Sequence, residues 1–413
     1  MVKKQEYSFS RLSGEHGGAW SFFGDARSIR VNENIYTGWI ALKGFVQISQ
    51  YNTDTHKRKT VTLGPSLGRL DDHNNPSLLP RRDGRIMAFY SPHSGRSLPK
   101  HGVSRMYYRT TKKPDDITKW GPIHYLKTNS PGSMGYTYPN PVPIDNGKIW
   151  MGWRGGNWQP TSSITSDNGK SWTKARTFLK SRGKKRPYVK YAEGPNDSVI
   201  MTYNQDNPGT TGTGLYYLQY RPGKGYFRAD GEKIAGSNAT IPVSKGDMIM
   251  SKHRRGRLYT MDVAADEDGK PATVFTAKPR HGGASVYYSK WNGEHWKTER
   301  VTSEGYGLYS KKTKPRHYGF YPTAGMSLDH EDPSTLYLSR QVDHQMRVEK
   351  WEHKAPGEWT HQAISPKEKS CVRPASVRND IGKSVVMMCG NYTNWLKFNT
   401  SIYIATPHQS TEK

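Results

Sequence analysis

Apolar residues in this chain fall in short, strand-like runs separated by Gly, Asp, Asn and Pro, not in a few long apolar elements. One unit recurs: a polar or aromatic residue, then Pro and a small-apolar run, a turn with Gly or Asp, and a second apolar run. It reads as His73-Asn74-Asn75-Pro76-Ser77-Leu78-Leu79, then Asp83-Gly84 and Ile86-Met87-Ala88-Phe89-Tyr90. It returns as Tyr138-Pro139-Asn140-Pro141-Val142-Pro143-Ile144, then Asn146-Gly147 and Ile149-Trp150-Met151-Gly152-Trp153. A third copy is Arg186-Pro187-Tyr188-Val189-Lys190-Tyr191 with Val199-Ile200-Met201-Thr202-Tyr203, and weaker copies start at Tyr321 and Arg373. Between copies lie further strand signals such as Val286-Tyr287-Tyr288-Ser289-Lys290-Trp291, followed by the hairpin step Asn292-Gly293.

Each unit then holds four short strands over roughly 45–65 residues, the size of a propeller blade. Between Ile35 and Ile404 there is room for about seven units of that length, the stretch from Gly256 to Trp296 being the least cleanly delimited. A two-sheet sandwich explains the repeat less well. The pattern predicts an all-β chain forming a seven-bladed β-propeller, one domain over residues 1–413 with short flexible ends at 1–18 and 406–413. Thr165-Ser166-Asp167-Asn168-Gly169-Lys170-Ser171-Trp172 matches the Asp-box S/T-x-D-x-G-x-x-W. Its Asp and hydroxyl tie a hairpin turn to its own backbone and its Trp packs between blades, so it speaks to fold and not to substrate.

Composition adds a partner class. Hydrophobic residues make up only 33%, yet 12% are aromatic, which separates the chain from low-complexity disorder. The formal charge of +27 attracts polyanions, leaving nucleic acid, anionic membrane and acidic polysaccharide as candidates. Basic residues interleaved with Tyr and Trp would suit nucleic acid, but they are scattered and accompany no helix-turn-helix, zinc-finger or RNA-binding signature. Lys184-Lys185-Arg186 and Lys252-His253-Arg254-Arg255 read as solvated loops. No run is long enough to span a membrane, and the N-terminus lacks the apolar stretch of a signal peptide. Cys371 and Cys389 are too few for a disulfide scaffold; one bridge and two buried thiols are equally open.

Asp71-Asp72-His73-Asn74-Asn75-Pro76, with Arg85-Ile86-Met87-Ala88-Phe89-Tyr90-Ser91 and His93 behind it, resembles the BNR-repeat β-propeller polysaccharide lyases that include the ulvan lyases. Tyr136-Thr137-Tyr138-Pro139-Asn140-Pro141, Gly152-Trp153-Arg154-Gly155-Gly156-Asn157 and Arg186-Pro187-Tyr188-Val189-Lys190-Tyr191 carry the same resemblance. It implies a seven-bladed propeller that cleaves a uronic-acid polymer, such as ulvan, by β-elimination. The residues suit that chemistry: the uronate carboxylate must be neutralised, its C5 proton removed, and the departing O4 protonated. Arg is always charged and bidentate, and His and Tyr can exchange the protons. The resemblance implies His73 as base, Tyr138 as acid at O4 or second base, Arg154 as carboxylate partner, and His93 as an orienting or supporting group. It places Asn74, Arg186, Tyr188, Lys190, Tyr191, His281 and Tyr321 among substrate contacts. Read singly, these would be a turn His, packing Tyr residues, and loop or strand charges.

Some relatives hold a structural metal by His and Cys. No matching cluster is visible, since Thr213-Gly214-Leu215-Tyr216-Tyr217-Leu218 has neither residue type and His253, His281 and His317 are dispersed. The chemistry itself requires no cofactor; a structural calcium or zinc stays open, since calcium held by backbone oxygens leaves little sequence trace. The expectation is a secreted or periplasmic monomer acting on an acidic polysaccharide, with neither nucleic acid nor membrane as partner. Lyases of rhamnose–glucuronate linkages in plant gums and a non-catalytic glycan-binding propeller are the alternatives. A sialidase would need an Arg-Ile-Pro type opening that is missing here.

Overall fold

The computed structural model describes residues 5–14, 17–93, 105–133, 135–183, 185–208, 211, 213–251, 256–278, 284–303, 325–342 and 345–408. Seven antiparallel sheets follow one another along the chain. We number these blades 1 to 7 and take them over residues 28–62, 77–125, 137–177, 188–250, 257–303, 326–363 and 371–407. The first strands of successive blades pack side by side, and Arg30 N donates to Arg378 O at 2.8 Å while Arg378 N donates to Ser28 O at 3.1 Å, which closes the ring between blades 7 and 1. The propeller expected from the repeat is what the chain forms. The stretch from Gly256 to Trp296, the least distinct in sequence, is a regular four-stranded blade.

Residues 7–11, expected within a flexible end, are the outer strand of blade 7. Tyr7 to Arg11 pair antiparallel with Pro407 to Tyr403, so one blade joins the first and last described strands. The pairing makes Tyr7–Arg11 the edge strand of that sheet. On the next strands of the same blade Cys371 lies opposite Cys389, and the two are joined in a disulfide, which settles the pairing left open by their spacing.

Why the strands read as continuous apolar runs is clear from where they lie. Inner strands are covered on both faces by neighbouring blades, so Lys148–Arg154 is buried at every position but its first. Outer strands meet water on one side, and Phe45–Asn52 alternates instead. Aromatic side chains fill the wedges between blades. Trp150 packs on Phe178, Tyr191 and Tyr220 with ring centres 5.4–6.3 Å apart; burying one such side chain stabilises by roughly 1.5–3 kcal/mol. The Asp-box behaves as its sequence requires: Thr165 Oγ1 donates to Asp167 Oδ1 at 2.8 Å, Ser171 N donates to the same oxygen at 2.9 Å, and Trp172 crosses to Phe89 and Tyr108 of blade 2.

Candidate active site

At one mouth of the ring, the starts of inner strands and the ends of second strands bring chemistry together. His73 lies in the short 3-10 turn Asp72–Asn74 that leads into blade 2, and His93 follows that blade's second strand. Tyr138 opens the inner strand of blade 3 and Arg154 ends its second strand. The His73 and His93 rings stack with centres 4.0 Å apart, and His73 stacks on Tyr138 at 5.2 Å. Arg154 Nη2 lies 3.0 Å from His93 Nε2, Arg154 Nη1 donates to Tyr188 OH at 3.1 Å, and its Cζ lies 4.5 Å from the centre of the Tyr138 ring. The four residues singled out for catalysis form one contiguous group.

Local backbone explains how they get there. Tyr138 has φ of +60° beside a register shift between Thr137 and Asn140, a conformation costly for a bulky residue. Asn140 Nδ2 donates to Tyr138 O and to Phe23 O, both at 2.8 Å, and holds that bulge. The Gly155-Gly156 pair after Arg154 lets loop 129–133 press against it. A Cβ on Gly156 would come 2.3 Å from Pro131 O, and one on Gly155 equally close to Thr161 Oγ1. Asn74 is fully buried, and its Oδ1 accepts from His93 N at 2.6 Å. The expected substrate contact at Asn74 is therefore corrected: it tethers His93 and does not face the cleft.

Two carboxylates set the charge of the cluster. Fully buried Asp71 takes His73 Nδ1 on one oxygen at 2.8 Å and His93 Nδ1 on the other at 2.9 Å. Asp72 Oδ1 is also 2.8 Å from His73 Nδ1, but a single N–H can point at only one acceptor, and the bond goes to Asp71. Asp72 in turn takes Arg373 and the Tyr392 hydroxyl, both at 2.5 Å. Burial pulls the His73 imidazole down, but Asp71 and Asp72 outweigh it and hold the group above its ordinary value. His93 goes the other way, to about 3: burial acts first, His73 and Arg154 add to it, and Asp71 only partly opposes them. His93 is thus neutral, with Nδ1–H toward Asp71 and Nε2 accepting from Arg154. Burial pushes the Tyr138 phenol well above its usual range against the pull of Arg154.

Arg154 is the informative charge. It is 7% exposed, and no carboxylate lies within ion-pair distance of it among the described residues. Its guanidinium is enclosed by Tyr138, Trp158 and Tyr188. A buried cation without a counter-charge is costly, and an incoming carboxylate relieves that cost. Tyr188, expected among the substrate contacts, is here as a partner of Arg154. Arg186 stands exposed at the rim, its Cζ 4.9 Å from the centre of Trp158.

Lys190 and Tyr191 are elsewhere, which corrects their reading as substrate contacts. Lys190 is 1% exposed; its Nζ donates to Phe22 O at 2.5 Å and pairs with Asp25 near the ring axis, where Arg27, Asp262, His330 and Arg378 also meet. Tyr191 is core, against Trp150 and Phe178. His281, Tyr321, Arg280, His317 and His253 lie outside the described residues. No site role was read for Asp71 or Asp72, and two aromatic residues were missed as well. Trp158 covers Arg154, and Trp395, in the turn between the last two strands of blade 7, meets His73 and His93 edge-on at 5.2 and 5.4 Å. The available signal was a Trp at a hairpin turn, where Gly or Asn is usual.

Asp71, His73 and His93 are a group of metal-binding type whose ligand atoms lie within 4.8 Å, which spacing alone did not reveal. Those atoms already hydrogen-bond to one another, and Arg154 occupies the outer nitrogen of His93. A metal there would have to displace a guanidinium, so the trio fits a proton-handling site better than a metal centre. A larger cavity of about 610 Å³ opens at the other mouth of the ring, lined by Glu193, Asp266, Glu267, Asp268 and Glu331. Its acidity suits a polyanion poorly, so the smaller cationic cleft is the functional candidate.

Fold and cleft together define a seven-bladed propeller that presents one buried guanidinium, a carboxylate-bound histidine and a tyrosine at the mouth of its ring. The model of the BNR repeat-containing family matches residues 34–304, and the chain belongs to that family. It is 24% identical over 268 residues to the "Ulvan Lyase-PL25" of Pseudoalteromonas sp. (strain PLSV), covering 55% of this chain and 52% of that protein. It is 23% identical over 324 residues to the "Ulvan lyase" of Alteromonas sp. (strain LOR), covering 68% of this chain and 64% of that one. The matches thus span from about half to just under two thirds of the curated relatives. A solved PL25 ulvan lyase superposes with a TM-score of 0.73 at 19% identity over 98% of both chains, which establishes the shared fold. The same holds at 18% identity for its complex with -[GlcA(1-4)Rha3S]-.

Proposed function

We propose that this protein is a polysaccharide lyase that cleaves a uronate-containing, sulfated polymer of the ulvan type by β-elimination. The observation that carries the reading is the buried, carboxylate-free guanidinium of Arg154 beside His73 and Tyr138. A uronate carboxylate on Arg154 has its charge offset there, which makes the C5 proton removable. His73, with Nδ1 held by the carboxylates, uses Nε2 as the base. The electron pair from the C5–H bond forms the C4=C5 double bond, the C4–O4 bond breaks, and the Tyr138 hydroxyl gives its proton to the departing oxygen. His93 stays neutral and orients Arg154. The product bears an unsaturated uronate at the new non-reducing end. The names of both curated relatives and the sugar in the solved complex support ulvan as substrate. Action outside the cytoplasm, as a monomer, goes with this reading, and the Cys371–Cys389 disulfide suits an oxidising compartment.

The test is ultraviolet absorbance of the unsaturated product on ulvan, gum arabic, heparin-type glycans, alginate and pectin, with His73→Ala and Tyr138→Phe alongside. A rise on ulvan that both substitutions abolish is the expected result. A rise on gum arabic alone would keep the mechanism and move the substrate. No rise on any polymer, from folded protein that still binds one, would leave a binding propeller.

A further inference from the structure

Arg186 belongs to a basic stretch that composition alone presents as a solvated loop and the family resemblance places among the substrate contacts. In the structure its backbone N donates to Asp206 Oδ1 at 2.8 Å, and the same oxygen takes Asn207 N at 2.8 Å. That carboxylate is engaged with backbone; the Arg186 guanidinium has no ion-pair partner among the described residues. It lies instead on the indole of Trp158, the ring that also bears Arg154. The two Cζ atoms are 4.9 Å and 4.3 Å from the ring centre, so their separation is at most the sum of those distances.

Trp158 is a fixed platform. It and Asn157 have φ of +63° and +50°, and this turn is locked by Asn157 N donating to Ser133 O at 2.8 Å and Ser133 N donating to Asn157 Oδ1 at 3.1 Å. Stacking on a locked ring removes much of the rotamer freedom that usually makes an exposed arginine a weak anion binder. One indole thus carries two guanidinium groups of different kind: a buried one on the catalytic cluster and an exposed one at the rim, with exposed Lys185 beside it.

We infer that Arg186, held on Trp158, is a subsite for the ester sulfate of the sugar next to the uronate that Arg154 clamps. The inference rests on the lyase reading of the same cleft. In a polymer that alternates a uronate with a neutral sugar, the neighbour of the clamped residue brings no carboxylate, and its ester sulfate is the anion within reach of a second guanidinium. A sulfate oxygen set suits the planar fork of arginine, and the exposed position lets the group enter without full dehydration.

The experiment compares native and chemically desulfated ulvan with wild type, Arg186→Ala and Arg186→Lys. Turnover is read by ultraviolet absorbance, and equilibrium binding of the same two polymers is read with each protein in the Tyr138→Phe background. Wild type is expected to prefer the sulfated polymer by about five- to tenfold in kcat/KM, through KM. In Arg186→Ala that ratio falls toward one, in turnover and in binding alike, and Arg186→Lys recovers part of it. A ratio unchanged in Arg186→Ala overturns the inference. So does a loss of equal size on both polymers, which would make Arg186 a support of the clamp. Absence of turnover in wild type would count against the lyase reading, and the binding ratios would still decide the sulfate subsite.

Discussion

The imidazoles of His73 and His93 lie 5° from parallel with centres 4.0 Å apart, and the carboxylate of Asp71 takes one nitrogen from each. Two stacked imidazolium rings would repel at that distance, so the pair holds its protons unequally. Asp72 adds to Asp71 on the His73 side, and Arg154 faces His93, so the charge sits on His73.

A base must be unprotonated to act, and the carboxylates raise the His73 pKa above 6.5 despite burial. The rate is therefore expected to rise with pH through an apparent pKa above that value. Asp71→Asn should lower kcat and move this limb to lower pH, because one of the two raising charges is gone. The measurement is kcat/KM against pH for both proteins. A limb that falls with pH over the same range would make His73 a proton donor or a charge clamp instead.

The stability linkage of His93 runs in one direction. Its folded pKa is pulled down to about 3, so the unfolded chain takes up its proton first as pH falls. Stability contributed by neutral His93 is present above pH 6.5 and is lost between there and about 3. His93→Gln is expected to flatten the fall in Tm over that window. An equally steep fall in the variant would place the acid sensitivity elsewhere.

Arg154 has four neighbours in the cluster: His93 and Tyr188 by hydrogen bonds, and the faces of Tyr138 and Trp158. Arg154→Ala should cost about 10²–10³ in turnover, the size found for removing one preorganised donor to a developing charge. Arg154→Lys should recover little, because an ammonium cannot make both hydrogen bonds in that plane. Initial rates on ulvan check this, with circular dichroism to confirm folding. A loss under tenfold in the alanine variant would remove Arg154 from the centre of the reaction.

Hydrogen bonds already occupy the facing atoms of Asp71, His73 and His93. Exhaustive dialysis against a chelator is therefore expected to leave turnover unchanged. A loss restored by zinc or calcium would show that the trio, or a site elsewhere, holds a required ion.

What the sequence revealed and what it hid follow one physical line. Blade repeats and the Asp-box were legible because each depends on local order, a Pro-led strand or a hairpin turn, whereas the grouping of His73, His93, Tyr138 and Arg154 was implied by the family resemblance. The bonding of Asn74, Lys190 and Trp395 was not legible, because it is decided by which side of a strand or turn faces the ring axis. Tyr188 and Lys190 are two apart on one strand, yet one meets Arg154 and the other meets Asp25. Their shared face of the strand is right for the ring axis; their depth along it separates cleft from core.

Lys190 turns that distinction into a measurement. Its ammonium is buried against Asp25 and Phe22 O, and removing it leaves Arg27 as the remaining ion-pair partner of Asp25 among the described residues. Breaking a buried pair from one side costs about 3–5 kcal/mol, so Lys190→Ala should lower Tm markedly. If Lys190 is structural, protein that remains folded below that Tm should retain wild-type KM on ulvan. A raised KM at unchanged Tm would return Lys190 to the substrate, and the axial cluster would then have to be read as part of the cleft.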